Sequence, residues 1–293
     1  MQPHPMSPPA PQTVCALCGG GEAVRLFDKA GRMFVRCTGC GLVALRPAPT
    51  AAELAGHHEA SYRQGRYAVF AAADTIRTAI ARHRLTEVRP LVPAGPWLDV
   101  GCSTGALLAE LARDGVAAEG LELSSAAVAE ARARGLVVHE GAVERFSPSR
   151  RYAVVSAFDL VEHLLDPVGF ARRVRSWLLP DGVFVLTLPN TASVAARLMG
   201  KQWYYHAPPD HVHGFSPDTI RRLLATTGWA AVCVRTAWKP LSAEYVVEQL
   251  GHSNPALARI ARAMTAIVPR PWRARPWSLP LGEMLVVARA AGR

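Results

Sequence analysis

Long apolar runs are missing from this chain. No uninterrupted stretch of its 293 residues approaches the length of a membrane-spanning helix, and the N-terminus lacks the basic-then-apolar order of a secretory signal. These absences argue against a spanning protein and an exported one, so a cytoplasmic enzyme is the expectation. A dense lysine/arginine block is missing too. The formal charge of +10 is carried mostly by dispersed arginine, which is weak support for an anionic partner such as phosphate, nucleic acid or a membrane surface. Hydrophobic residues make up 50% of the chain, enough for one large α/β domain with a small appendage. The proline-rich opening MQPHPMSPPAPQ reads as a disordered tail over residues 1–12.

Cysteine is scarce, and its placement is informative. Four of the six cysteines, Cys15, Cys18, Cys37 and Cys40, form two C-x2-C pairs separated by eighteen residues. Each pair presents two sulfurs from one turn, and two such knuckles joined by a hairpin suit a tetrahedral zinc ion. AVRLF and MFVRC supply the hairpin strands. With four sulfurs the site is closed, so the zinc is expected to be structural and to contribute about 10 kcal/mol to folding a module over residues 13–50. A disulfide pair is the alternative, disfavoured without a secretory signal. His57 and His58 follow the ribbon and read as solvated surface residues. Residues 51–92 form a helical linker or cap: Tyr67–Val92 has helical periodicity, and Tyr62 or Tyr67 either reaches a substrate or simply packs.

The stretch from Trp97 to Glu122 reads WLDVGCSTG, a helical pattern, then AAEGLELSS. A short apolar strand runs into a turn bracketed by Gly101 and Gly105, then a helix and a second strand ending in an acid. A dinucleotide fingerprint needs G-x-G-x-x-G, whereas this turn is D-x-G-x-x-x-G. Asp99, two residues before the first glycine, is a poor neighbour for pyrophosphate but tolerates a cationic ligand. Glu122 is placed to accept hydrogen bonds from both ribose hydroxyls of a nucleoside.

These residues resemble motif I of class I S-adenosylmethionine-dependent methyltransferases. The resemblance implies a Rossmann-like seven-stranded α/β sheet over residues 93–293, with the seventh strand inserted antiparallel between the fifth and sixth. It also implies S-adenosyl-L-methionine as cofactor, held by Asp99, Gly101, Cys102, Gly105, Glu122, Leu123, Val143, Phe158 and Asp159. CGLVALRPAPTAAEL after the second cysteine pair resembles the lead-in of bacterial small-molecule methyltransferases with a cysteine-ribbon cap, sugar C-methyltransferases among them. Ribosomal RNA methyltransferases share that general layout.

Beyond motif I, SSAAVAEARARG reads as a helix capped by Ser124 or Ser125, LVVHEGAVERF as a third strand, and RYAVVSAFD as a fourth. The family often has an acid where Ala153 stands. FDLVEHL resembles the (Glu/Asp)-x-x-Glu-His segment of ubiquinone-pathway O-methyltransferases; Asp159, Glu162 and His163 there form a helix-capping network, ligate a divalent ion or position substrate. GVFVLTLPN is the fifth strand after a turn over Pro180–Gly182, and Ser216–Pro217 start a helix. Trp203, Tyr204, Tyr205, His206, His211, His213 and Phe215 crowd into thirteen residues between them, as an ordered substrate loop would. Its histidines lack the companion ligands of a zinc finger. In the family's W…H…H…FS stretch a histidine or tyrosine faces the reacting methyl. That implies His211 as general base, His213 as second choice, and Tyr204 or Tyr205 as orienter; histidine's ordinary pKa suits the task.

AAVCVR and GEMLVVARA read as the last two strands, with residues 237–280 inserted between them. From Leu257 to Val268 apolar and basic residues interleave at near-helical spacing, and Arg259, Arg262, Arg270, Arg273, Arg275, Trp272 and Trp277 share the insert. A lid, a dimer contact, a peripheral membrane contact over 255–277 and plain packing on the enzyme body remain open. The expected activity is methylation of a small-molecule acceptor, a sugar or biosynthetic intermediate, on carbon or oxygen. An anionic or lipid-linked acceptor fits the basic face. An RNA methyltransferase using the ribbon and the positive charge is the alternative, against which the N-P-P-[FYW] signature is missing. A non-catalytic binding protein that keeps the cleft is the third.

Overall fold

The computed structural model describes residues 14–63, 73–244, 246–247, 255–269, 272–273, 275 and 277–291. The tail at 1–12, Tyr67 and Arg270 lie outside the described residues, as does the side chain of Tyr62.

The hairpin expected between the cysteine knuckles forms: β1 (Ala23–Lys29) pairs antiparallel with β2 (Arg32–Cys37), and β2 with β3 (Val43–Arg46). Helix α1 (Ala51–Arg63) and helix α2 (Ala73–Val88) follow. The glycine-turn unit then gives β4 (Trp97–Val100), α3 (Ala106–Arg113) and β5 (Ala118–Glu122). Ser124 caps α4 (Ser125–Ala133) by accepting the Ala127 N–H, ahead of β6 (Val138–Glu140). The next strand, β7 (Tyr152–Phe158), is buried along its whole length, as a parallel strand covered on both faces must be. It leads through a 3-10 turn at Val161–His163 into α5 (Pro167–Trp177) and β8 (Leu178–Pro189). The turn expected at Pro180–Gly182 is instead an irregular stretch within β8, where pairing passes from Tyr152↔Leu178 to Val154↔Val183.

Beyond β8 come the short α6 (Val194–Met199), β9 (His213–Gly214), α7 (Pro217–Thr226), β10 (Trp229–Leu241), α8 (Pro255–Ala266) and β11 (Trp277–Ala290). Ser216 and Thr219 form a reciprocal capping box at the start of α7, as the Ser216–Pro217 pair predicts. The large sheet runs β10-β11-β8-β7-β4-β5-β6. Strands β4 to β8 pair in parallel, and β11 lies antiparallel between β8 and β10, which is the expected seventh-strand insertion. The last two strands reach further into the insert than the sequence suggests, since Leu241 still pairs with Trp277.

The cysteine hairpin is not a separate bead. Its sheet takes a fourth strand from far along the chain, β9 pairing with β3 through Val43↔Gly214 and Ala44↔His213. Cys15, Leu17, Cys37 and Leu42 share one apolar core with Phe215, Ile220 and the inner face of the large sheet. His206 sits in this seam, its ring 4.8 Å from Phe27, 4.9 Å from Phe34 and 5.1 Å from Trp203. Burial, with Lys29 nearby, depresses its pKa to about 4. The sign follows directly. Below the ordinary pKa near 6.5 the unfolded chain binds a proton that the folded chain refuses, so folding loses stability as pH falls from 6.5 towards 4. A His206→Phe variant is expected to gain on the wild type by on the order of 3 kcal/mol across that window. Chemical denaturation of both proteins at each pH measures this, and a constant difference would refute it.

Candidate functional site

Strand β4 ends at Val100, and the chain must turn at once to enter α3. Gly101 (φ +74°) and Gly105 (φ +81°) take left-handed conformations that make the turn possible. Gly101 N–H donates to the Leu121 carbonyl at 2.8 Å, tying the turn to β5. Ser103, between the glycines, also has positive φ, at 52°. Its N–H donates to Glu122 Oε2 at 2.9 Å, while Glu122 Oε1 accepts the N–H groups of Leu123 and Ser124 at 2.8 and 2.9 Å. The acid at the end of β5 therefore fixes the glycine turn from across the cleft mouth.

Behind the turn, Trp97 Nε1–H donates to Ser156 Oγ at 2.7 Å, and Ser156 donates to Asp99 Oδ1 at 2.6 Å. Burial, only partly offset by that hydrogen bond, pushes the Asp99 carboxyl up to about 7. Cys102 packs against Gly120, where a Cβ would come within 2.4 Å of its sulfur. Burial raises its thiol pKa, so it is a packing residue of the turn rather than a reactive one.

A cavity of about 590 Å³ opens at the carboxyl ends of β4, β5 and β7, where ligands bind in open α/β sheets. Asp99, Gly101, Cys102, Glu122, Leu123, Val143, Phe158 and Asp159 all line it. Gly105 does not; a Cβ there would lie 2.3 Å from Leu136, so its smallness serves helix packing. A carboxylate at the cavity's edge, an apolar wall and a buried acid beneath the turn are a lining that an adenosyl ligand with a cationic centre would fit.

The far end of the cavity is built from residues that the sequence scatters. His58 of α1, read above as a solvated residue, lines the cleft and lies 2.7 Å from Asp210 Oδ1 through its Nε2. His163 Nδ1 reaches the same oxygen at 3.0 Å. Burial alone would lower the pKa of His163, but Asp210 overrides it and raises it to about 9, while His163 and His58 hold Asp210 well below the carboxylate range. His211 stands behind this pair, its ring 4.6 Å from that of His163 and stacked on Tyr205 at 5.7 Å. Burial and the charge on His163 depress its pKa to about 3. Among the described residues, neither His211 nor Tyr205 nor His213 lines the cavity; His213 is buried in β9.

The Asp-x-x-Glu-His segment is not a capping network. Asp159 adopts φ +52° and pairs with Arg84 of α2 at 2.5 Å and Lys239 of β10 at 3.3 Å, and Lys239 also reaches Glu283 at 2.6 Å. Burial opposes the charge on Asp159, yet the two cations hold it well below the ordinary range. Glu162 is 1% exposed, and burial pushes its carboxyl up to about 7. Arg84, Lys239 and Asp210 went unnoticed in the sequence, and His58 reads there as solvated, because no local spacing links them.

Away from the cleft, the four N-terminal sulfurs lie within 4.8 Å of one another, with Cys15–Cys40 and Cys18–Cys37 each at 3.5 Å. These separations are far beyond an S–S bond. They are close to the roughly 3.8 Å between thiolates around tetrahedral zinc.

The methyltransferase-domain family model matches residues 70–234, more than half of the chain. A ubiquinone biosynthesis O-methyltransferase of Bradyrhizobium diazoefficiens is 29% identical over 163 residues, covering 51% of this chain and 64% of that protein. A dTDP-3-amino-3,6-dideoxy-alpha-D-glucopyranose N,N-dimethyltransferase of Streptomyces fradiae is 38% identical over 99 residues, 32% of this chain and 39% of that one. The chain thus spans less than two thirds of these curated relatives. In fold it is similar to an S-adenosylmethionine-dependent methyltransferase from Thermotoga maritima, with TM-score 0.54 and 16% identity over 79% of this chain and 97% of the other. With its sheet order, its glycine turn and this match, the chain belongs to the methyltransferase-domain family, in its class I, S-adenosylmethionine-dependent form.

Proposed function

We propose that the protein methylates a small-molecule acceptor, a sugar or biosynthetic intermediate, on carbon or oxygen. The observation that carries this reading is a single cavity with the Glu122–Ser103 turn at one end and the His58–Asp210–His163 cluster at the other. S-adenosylmethionine would supply a methyl group on a sulfonium. Glu122 would hold its ribose hydroxyls, Val143 and the backbone of 142–144 would border the adenine, and Asp99 would lie beneath the cationic end. One curated relative above is named for ubiquinone biosynthesis and the other for an amino-deoxy sugar nucleotide, which supports the small-molecule class without fixing the compound. Incubation with labelled cofactor and either nucleotide-sugar pools or RNA tests it; label entering RNA alone would overturn it.

A carbon or oxygen nucleophile must lose a proton as it attacks. Two histidines compete for that task. His211, the choice implied by family resemblance, is stacked on Tyr205 behind His163, is buried with its pKa depressed chiefly by that burial, and does not line the cavity. His58 faces the cleft with Asp210 2.7 Å behind it, an arrangement that orients the imidazole. We assign the base to His58, with His211 and Tyr205 as positioning residues and His213 as packing in β9. His58→Ala is expected to lower kcat by about a hundredfold or more while S-adenosylhomocysteine affinity holds. His211→Ala is expected to do much less to kcat, and the reverse order would return the role to His211.

The cysteine cluster is assigned one structural zinc ion, held by Cys15, Cys18, Cys37 and Cys40. All four donors are soft thiolates, and no position is left open for a reacting ligand.

A further inference from the structure

Helix α8 is built the wrong way round for a helix packed on its own protein. Ala258, Ala261 and Thr265, three and four residues apart, form its covered side. Ile260, Met264 and Ile267 stand on the open side, 59%, 66% and 86% exposed. A soluble helix normally buries its large apolar side chains and exposes the small ones. The connecting segments continue the pattern, with Trp272 and Trp277 at least half exposed and Arg275 lying 5.6 Å over the Trp277 ring.

The excursion opens with Glu244 and Glu248, Glu244 lying 3.8 Å from Arg273, and beyond them its charge has one sign. Between Glu248 and Glu283 the sequence contains five arginines and no aspartate or glutamate. On α8 itself Arg259 and Arg262 are exposed between the outward apolar residues. The excursion leaves β10 at Leu241 and returns at Trp277, its paired partner, two residues beyond the cleft-lining Lys239.

We propose that α8 and its flanking tryptophans form a docking surface for an anionic lipid bilayer. Isoleucine, methionine and tryptophan would enter the headgroup–acyl boundary while the arginines stay at phosphate level, their stems lying along apolar neighbours. A second copy of the chain is a poorer occupant. A two-fold contact would set α8, which carries Arg259 and Arg262 and no acidic residue, against itself. A nucleic acid would satisfy the arginines but leave the isoleucines and methionine in water. No helix among the described residues is long and apolar enough to cross a membrane, so the contact would lie along the surface. The surface stands independently of the acceptor assignment; if both hold, the cleft mouth is presented towards lipid-borne substrates.

The test is co-sedimentation of the purified full-length protein with phosphatidylcholine vesicles, with and without phosphatidylglycerol. Binding is expected to be about tenfold or more tighter with phosphatidylglycerol and to weaken with added salt. Ile260→Asp with Met264→Asp should abolish it, and Arg259→Gln with Arg262→Gln should remove the preference for anionic lipid. Both variants should retain wild-type melting and S-adenosylhomocysteine affinity, because none of the four residues lines the cleft. Equal binding by the wild type and the aspartate variant, or no binding to either vesicle, would overturn the proposal. A concentration-dependent dimer lost in the aspartate variant, without vesicle binding, would overturn it in favour of self-association.

Discussion

Serine at both Cys37 and Cys40 should cost the protein its zinc and, with it, the shape of the cleft. Metal analysis of the wild type is expected to give about one zinc per chain, and the double variant close to none. Binding to four thiolates is worth on the order of 10 kcal/mol in small zinc modules, comparable to the whole stability of an ordinary domain. In an independent module that loss would stay local. Here Cys15, Leu17, Cys37 and Leu42 belong to the central core, β3 pairs with β9, and Leu45 N–H donates to the Val212 carbonyl at 3.0 Å. Loosening the ribbon thus loosens the segment carrying Asp210 and His211. The expected outcome is a large drop in melting temperature together with loss of methyl transfer. A double variant that melts and turns over like the wild type would remove the structural assignment.

The second large effect is at Glu122. Changing it to alanine should weaken S-adenosylhomocysteine binding by on the order of a hundredfold, as read by titration calorimetry. Hydrogen bonds to a charged acceptor are worth roughly 1.5–3 kcal/mol each, and every 1.4 kcal/mol is about tenfold in affinity. Two ribose hydroxyls reach that figure alone. The carboxylate also accepts the N–H groups of Ser103, Leu123 and Ser124, so its loss releases the strained Ser103 turn that lines the cavity. Glutamine keeps the shape and surrenders the charge, and is expected to fall between alanine and wild type. Unchanged affinity in the alanine variant would remove the ribose assignment.

The sheet was legible in the sequence because its signals are local. Buried strands announce themselves as short apolar runs, and the turn after β4 needs glycine where φ is positive. Ser124 and Ser216 cap helices by side chains that act within three residues. The acceptor end had no such signal. His58 and Asp210 are 152 residues apart, and only the packing of the histidine-rich loop against α1 brings them together. Arg84 and Lys239 reach Asp159 from opposite sides of the chain. A histidine next to another, downstream of four cysteines, has no periodicity that would distinguish a cleft residue from a solvated one. Strand β9 is two residues long, too short for any alternation to be read. Family resemblance pointed to the histidine-rich loop, of which Asp210 lines the cavity and Tyr205, His211 and His213 do not.

The pairing of β3 with β9 also constrains how the chain comes off the ribosome. Strand β3 emerges early, yet its partner edge does not exist until residue 214 has been synthesised. Through that interval the ribbon presents an open edge and half of a shared core. Closing so long a loop is a late, entropically costly event. Capture of the proposed zinc ion by the four thiolates would come first, holding a nascent hairpin in register until the remainder of the chain arrives to cover it.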